Sequence, residues 1–460
     1  MLHDASVVIL AAGQGTRMKS RMAKVLHRAG GRTLLGHAIA AATRVAAPER
    51  IFVVVGHQAG AVGEVARQAG AQTIHQSEQL GTGHALLCGE KELKPLGGRL
   101  VIFYGDCPMI RPETLERVVA LHAESGATGA MATIVVPDPT GYGRIIRNSA
   151  GDVAAIVEHK AASEEQRKVC EINPGVYSFD ADSFWKHVHQ LTRDNPAREY
   201  YLTDMIRILI EAGGRITAFV VPDHTELVGI NNRVELAEAD AVLRARKARQ
   251  LMLDGVTIEQ PDTVSIDMDV EVGQDTVIGP FAQLRGATVV GENCRIGACT
   301  ILENTLVGNN VEVNAFCAIA DSTLESGVHA GPFARMRMGA HLEEGARVGN
   351  FVELKKTRMG RAAKAMHLAY LGDSAIGAKA NIGAGTITCN FDGKHKHKTT
   401  IGEGAFVGSN STLVAPVEIG RGAYIGAASV ITLAVPEDTL AIGRARQVNK
   451  PGWKKRITGD

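Results

Sequence analysis

Two groups of residues carry the types and spacings that chemistry needs. The first follows an apolar run near the start of the chain: Leu10-Ala11-Ala12-Gly13-Gln14-Gly15-Thr16-Arg17-Met18-Lys19, then Lys24-Val25-Leu26-His27. Small residues let the backbone approach a phosphate closely, and amide N–H groups can cradle it. Arg17 and Lys24 would offset triphosphate or pyrophosphate charge. Met18 stands where a dinucleotide-binding loop has its third glycine, and the lysine of a Walker loop is missing at its spacing. The same residues would also suit a tight βα turn with solvated cations. Asp106 closes a second apolar run, Tyr104-Gly105-Asp106. It suits Mg2+, a hard cation that takes oxygen ligands and keeps several waters, though a turn aspartate would look alike.

The second group is Arg337, Lys355, His367, Tyr370 and Asn381. A lone histidine here would usually be structural; one among two cations, a phenol and an amide points to a site for an anionic substrate. The group interrupts a six-residue period. Val272, Ile278, Leu284, Val290, Ile296 and Leu302 form one series, and Ile401, Val407, Leu413, Ile419, Ile425 and Ile431 another. Helices repeat near 3.6 and ordinary strands at 2, so this period marks a parallel β-helix. A second interruption, Cys389–Lys398, alternates Lys and His at 394–398. It reads as a solvated basic loop rather than a metal tract.

The elements before residue 232 follow a different rule. Apolar runs at Val7–Ala12, Ile51–Gly56, Leu100–Gly105, Ala130–Val136 and Ile216–Val221 read as buried parallel strands. Helical stretches such as Leu34–Val45 and Glu113–Ala123 alternate with them, which implies an α/β sheet. Ligands of such sheets sit at the carboxyl ends of the strands, where the glycine loop and Asp106 fall. Val234–Leu253 lacks Gly and Pro, follows Asn231-Asn232 and precedes Gly255, as a single connecting helix would. Asn231 could fill the role of its N-cap, which is the structural alternative to a ligand role for that residue.

The 460 residues exceed one ordinary core. Lys+Arg 50 against Asp+Glu 49 gives no charge for general nucleic-acid binding, and 4% aromatics gives no stacking platform. Seven Cys without a C-x-x-C pair fit reduced thiols in a cytoplasm. No signal peptide or membrane span is expected.

Further stretches are Gln76-Ser-Glu-Gln79-Leu-Gly81-Thr82-Gly83-His84, Pro139-Thr-Gly141-Tyr-Gly143-Arg144, Val157-Glu158-His159-Lys160, Glu199-Tyr-Tyr-Leu-Thr-Asp204 and Val228-Gly229-Ile230-Asn231-Asn232. With the glycine loop, they resemble sugar-1-phosphate nucleotidyltransferases. The chain as a whole resembles the bacterial bifunctional family of N-acetylglucosamine-1-phosphate uridyltransferase and glucosamine-1-phosphate acetyltransferase. That resemblance implies a Rossmann-like α/β uridyltransferase domain at 1–231, a linker helix at 232–254, and a left-handed parallel β-helix at 255–460. The β-helix would have roughly nine coils, about 43 Å tall at one strand spacing per coil, and would assemble as a homotrimer.

The resemblance also implies roles. Leu10, Ala11, Ala12, Gly13, Tyr104 and Gly105 would line the nucleotide, with Arg17 and Lys24 as catalytic cations. Gln76, Gly81 and Thr82 would hold the uracil side of UTP. Asp106 and Asn231 would hold Mg2+. Gly143, Glu158 and Asn173 would hold the amino sugar. In the second half His367 would be the general base, and a backbone amide near Ala384 would steady the oxyanion. Arg337 and Lys355 would hold the phosphate of glucosamine 1-phosphate, and Tyr370 and Asn381 its ring. Ala384, Asn390, Phe391, Ser409, Ala427 and Arg444 would lie along acetyl-CoA. Four residues depart from the family pattern: Ala23 and Met338 where Pro is common, Pro174 where a small residue is common, and Phe391 where Tyr is frequent. The competing reading is a nucleotidyltransferase whose β-helix serves only as a trimerisation scaffold.

Overall fold

The computed structural model describes residues 4–159, 161–195 and 197–458, and counts of elements are of those residues. Lys160 of the Val157–Lys160 stretch lies outside them. The chain divides into two compact units, Met1–Leu243 and Arg244–Asp460. The helix Arg233–Leu253 carries the chain from one to the other. Its N-cap is Asn232, not Asn231: Asn232 Oδ1 accepts from the amides of Val234 (2.9 Å) and Glu235 (3.0 Å). This leaves the Asn231 side chain available for other work.

The first unit is built on a nine-stranded sheet. Its strands are β1 (Ala5–Leu10), β2 (Ile51–Val55), β3 (Gln72–His75), β4 (Arg99–Tyr104), β5 (Gly129–Val135), β6 (Arg144–Arg147), β7 (Val153–Val157), β8 (Glu171–Asp180) and β9 (Ile216–Val220). The main path runs β9-β5-β8-β4-β1-β2-β3. β1, β2, β3 and β4 pair in parallel, and so do β5 and β9. β8 runs antiparallel between β4 and β5, and β6 and β7 form an antiparallel hairpin. The sheet is therefore mixed, where the apolar runs predict a parallel one. β8 escapes the pattern because Pro174-Gly175 sits inside it. The register slips between Ile172 and Val176, and a bulge is where a strand tolerates proline. Aliphatic residues on both faces of β1 and β4, among them Val7, Val8, Ile9, Val101 and Ile102, are fully buried between helical layers.

The second unit is a left-handed β-helix with three parallel walls of eleven, ten and nine strands. Most coils stack on the next at a spacing of 17 or 18 residues, as in Ile278 on Ile296 and Ile296 on Val313; the spacing widens to 25 at Ile382 on Val407, across the insertion, and narrows to 16 at Ile425 on Ala441. The coils run from Thr257 to Ala441, beyond the expected Val272–Ile431. The first turn escaped the period because Pro261–Thr263 forms a short 3-10 turn that spaces Ile258 from Ile266 by eight residues.

The period does not break in the middle. Met336, Leu342, Val348, Leu354, Met359, Ala365, Leu371, Ile376 and Ile382 all remain in the buried core. What changes is one corner, between the second and third walls. There the inward step shrinks to five residues at Leu302–Val307, Ile319–Leu324, Leu354–Met359 and Leu371–Ile376. Each short corner places a residue at positive φ (Asn304, Asp321, Lys356, Asp373) followed by a buried hydroxyl (Thr305, Ser322, Thr357, Ser374). The hydroxyls satisfy carbonyls that the turn exposes, for example Thr357 to Leu371 O at 2.7 Å. The Cys389–Lys398 insertion emerges at the same corner, between Thr388 and Ile401.

Candidate active sites

In the first unit the carboxyl ends of β1, β2 and β4 open into a cavity of about 230 Å3. Ten of the sequence-predicted residues line it: Leu10, Ala11, Ala12, Gly13, Lys24, Gln76, Gly81, Thr82, Tyr104 and Asp106. Gly105 sits beneath them, its amide donating to Leu10 O at 2.9 Å and closing β4 onto β1. Gly81 adopts φ +106°, and a Cβ there would come within 2.6 Å of the Tyr200 carbonyl, so only glycine keeps this wall closed. Gln76 is buried and donates to Gly81 O at 3.0 Å.

At the mouth, Lys24 pairs closely with Asp106, and its Nζ also lies 3.2 Å from Asn231 Oδ1. Arg17 Nη2 donates to the same Asn231 oxygen at 2.8 Å. The backbone secures this meeting, because Ile230 N donates to Asp106 O at 2.9 Å and holds the 228–231 segment against the end of β4. Two side-chain oxygens thus converge on one cation, the donor set a hard divalent ion takes when water fills its remaining positions. Among the described residues no group of three or more His, Cys, Asp or Glu side chains could hold a metal.

Gly143, Glu158 and Asn173 form an adjoining cluster. Asn173 N donates to Gly143 O at 2.9 Å, and a Cβ on Gly143 would lie 3.5 Å from Glu158 Oε1. The Asn173 side chain holds the β8 bulge, accepting from Gly175 N (3.0 Å) and donating to the Tyr177 hydroxyl (2.7 Å). Tyr104 bridges cavity and cluster, since its ring packs on Gly175 and its hydroxyl bonds Thr82. Surrounding chain atoms push the Glu158 carboxyl above its ordinary value although one side faces solvent; the Thr203 hydroxyl partly opposes this. Ala23 N donates to Gln58 Oε1 at 3.0 Å, a bond the proline common at this position could not make. Sequence reasoning missed Glu199 and Gln79 as cavity residues; both lie within the quoted stretches and were passed over for the glycines beside them.

In the second unit the predicted residues spread over the first and second walls: His367 and Tyr370 flank the corner between them, Arg337 and Lys355 end second-wall strands, and Asn381 begins a first-wall strand. Arg337 is in register with Lys355, and Glu353 with Tyr370, on successive coils of the second wall. His367 ends a strand of the first wall, and Asn381 pairs with Lys364 one coil on. Both cations are held by carboxylates: Arg337 Nη2 to Glu353 Oε1 at 2.8 Å, and Lys355 Nζ to Asp373 Oδ2 at 2.8 Å. Burial pushes the Asp373 carboxyl up, but the Lys355 and Asn390 hydrogen bonds outweigh it and leave it below the ordinary value. Met338 has φ +59°, which proline cannot adopt, and its sulfur accepts from Arg337 Nη1 at 3.4 Å.

Of the residues implied for acetyl-CoA, Ala384, Ser409 and Ala427 follow the corner that His367 starts. Asn410 N donates to Ala384 O (2.7 Å) and Ala428 N to Ser409 O (2.8 Å), as Leu368 N does to Asn350 O (3.0 Å). Asn350, His367, Ala384, Ser409 and Ala427 therefore occupy equivalent positions on five successive coils. Asn390 is buried against Asp373, and Phe391 is exposed at the base of the insertion with Lys396 Nζ 4.6 Å above its ring. Asp392 Oδ1 accepts from the amides of Lys394 and His395, and Asp392 Oδ2 from His397 Nε2 at 2.7 Å, so the basic loop folds around a carboxylate. Arg444 lies exposed beyond the last coil. Glu353, Asp373 and Asn350 are the residues sequence reasoning missed here; only the register between successive coils brings them beside Arg337, Lys355 and His367.

A strand-end cavity joined to a hexapeptide β-helix defines a nucleotidyltransferase domain fused to a hexapeptide transferase domain. Comparison with known families agrees: residues 7–252 match the MobA-like NTP transferase domain, and residues 269–304 and 398–432 match the bacterial transferase hexapeptide repeats. Three relatives are called bifunctional protein GlmU. That of Solibacter usitatus is 56% identical over 99% of this chain and 98% of its own. That of Koribacter versatilis is 48% identical over 98% and 97%, and that of Trichlorobacter lovleyi 46% over 99% of both chains. The chain belongs to the bifunctional GlmU family.

Proposed function

We propose that this chain makes UDP-N-acetylglucosamine in two steps at two sites. In the β-helix, the amine of glucosamine 1-phosphate attacks the thioester carbonyl of acetyl-CoA. His367 takes the amine proton, CoA leaves as its thiol, and N-acetylglucosamine 1-phosphate remains. Arg337 and Lys355 bind the sugar phosphate, while Tyr370 and Asn381 orient the ring. Ala384, Ser409, Ala427, Asn390, Phe391 and Arg444 contact acetyl-CoA.

In the first unit a phosphate oxygen of that product attacks the α-phosphorus of UTP, and pyrophosphate leaves. The nucleophile is already anionic, so positioning and charge neutralisation suffice. Leu10 to Gly13 cradle the nucleotide, and Gln76, Gly81 and Thr82 face its base. Gly143, Glu158 and Asn173 hold the sugar. Arg17 and Lys24 neutralise the leaving pyrophosphate. Asp106 and Asn231 would hold Mg2+, which when bound supplies charge to the phosphate oxygens; Lys24, now resting on both oxygens, is then free to turn toward the nucleotide.

The observation that carries the two-site reading is His367: its side chain is exposed at the end of a lengthened first-wall strand, at the corner that Tyr370 follows, and is bonded to Asn350, an arrangement a scaffold does not need. A homotrimer is supported by the half-exposed rings of Phe316, Phe333 and Phe351, which stack 5.0 and 5.1 Å apart along this corner as an apolar strip suited to another chain. No helix among the described residues is long and apolar enough to cross a membrane, and the free thiols suit the cytoplasm. The test is a coupled assay with glucosamine 1-phosphate, acetyl-CoA, UTP and Mg2+. Release of both CoA and pyrophosphate is expected. Pyrophosphate release from N-acetylglucosamine 1-phosphate with no CoA release from glucosamine 1-phosphate would overturn it in favour of the scaffold reading.

A further inference from the structure

Among the described residues His367 hydrogen-bonds one side chain, and the fold goes to unusual lengths to supply it. Strands of the first wall are mostly two residues long, as at Val277–Ile278 and Arg295–Ile296. Here two neighbours extend to four, Arg347–Asn350 and Lys364–His367, and Asn350 pairs with His367 at the added end. The extension depends on Gly349. A Cβ at that position would lie 1.9 Å from the Met366 carbonyl, so any other residue would part the strands. With the strands in contact, Asn350 Oδ1 lies 2.9 Å from His367 Nδ1.

We propose that Asn350 is a positioning residue that sets the tautomer of His367; this rests on the reading of His367 as general base. An amide oxygen only accepts, so it holds the proton on Nδ1 and leaves the Nε2 lone pair free to take the proton of the amine. Being uncharged, Asn350 does this without adding an anion beside the ring. The ionisable groups on the flanking strands are Arg347 and Lys364, which begin the two first-wall strands, Glu353 and Tyr370, which begin the second-wall strands past the corner, and Arg337, Lys355 and Asp373 at the far side of that wall. Arg337 is paired with Glu353, and Lys355 with Asp373. Asparagine thus supplies the orienting bond of a catalytic dyad without the upward shift an aspartate would impose.

The experiment uses the full chain carrying N350A, N350D or H367A, with uridylyl transfer at the other site reporting that each is folded. In N350A, kcat for acetyl transfer should fall about 10- to 100-fold, with KM for both substrates within about twofold. Nitrogen-15 NMR of the imidazole at pH 8 should show the Nδ1–H tautomer in the unmutated chain and a mixture in N350A. N350D keeps an acceptor and adds a charge. It should recover most of the rate and move the acid limb of the pH profile up by about one unit. An N350A chain with unchanged tautomer and rate would overturn the inference while leaving the base reading intact, provided H367A is inactive. An H367A chain that still acetylates would overturn the base reading itself.

Discussion

The two sites are assembled by opposite means. The first gathers residues from five places far apart in the chain, 10–24, 76–82, 104–106, 143–173 and 231, onto the ends of a mixed sheet. The second strings its residues along two adjoining walls of a repeating coil, where most neighbours in space lie 17 or 18 positions apart. A loop site encloses its ligand, and the first unit has a cavity. An edge site is open, and His367, Ser409, Ala427 and Arg444 are all exposed. Yet both sites keep their cations on carboxylates or amides of the same chain: Lys24 on Asp106 and Asn231, Arg337 on Glu353, Lys355 on Asp373. On the proposed roles each cation is thereby aimed before any phosphate arrives. Binding then exchanges one anion for another and does not have to order a free side chain.

If the sites are as separate as this contrast holds, damage to one should not reach the other. The largest effect is expected at Lys24. Lys24→Ala should reduce the rate of pyrophosphate release by about a hundredfold or more, in line with the loss of one preorganised transition-state contact. CoA release in the same preparation should not change.

Next comes the buried pair of the second site, whose side chains are only 11% and 13% exposed. Asp373→Asn leaves the Lys355 charge uncompensated and should lower the stability of the β-helix by about 3 kcal/mol in denaturant unfolding. The pH dependence follows from the depressed carboxyl of Asp373. Its contribution is full above the unfolded value near 3.9 and is lost as pH falls below that value through the folded one. Melting scans between pH 7 and pH 2 should therefore show a shallower acid limb for Asp373→Asn than for the unmutated chain.

A smaller effect belongs to Glu158. Its raised carboxyl takes up a proton at a higher pH than an ordinary glutamate, so KM for N-acetylglucosamine 1-phosphate should begin to rise earlier on acidification than an ordinary glutamate would cause. Glu158→Gln should raise KM several-fold at pH 7.5 and flatten that rise. The smallest effect is expected at Phe391. Phe391→Tyr adds one hydroxyl to an exposed ring already covered by Lys396, and KM for acetyl-CoA should move by no more than about twofold.

The same contrast explains what could be read in advance. The strands β1, β2, β4, β5 and β9 were legible as apolar runs, and the glycine loop and Asp106 marked their carboxyl ends. β8 was not, because a proline at a bulge looks like a loop until its neighbours are known. In the β-helix the regular hexads were plain. Its middle looked irregular only because one corner shortens by a residue, and five-residue steps break a six-residue ruler without breaking the coil. Asn350, Glu353 and Asp373 carry no local signal. Their meaning depends on coil spacing: Asn350 lies 17 residues before His367 and Asp373 lies 18 after Lys355, distances no short motif spans.

The central claim, two active sites working independently in one chain, is tested most directly by measuring both reactions on two variants, Asp106→Ala and His367→Ala. Asp106→Ala should lose UTP-dependent pyrophosphate release and keep full acetyl transfer, and His367→Ala should show the reverse. Loss of both activities in either folded variant, or acetyl transfer that survives His367→Ala, would contradict it.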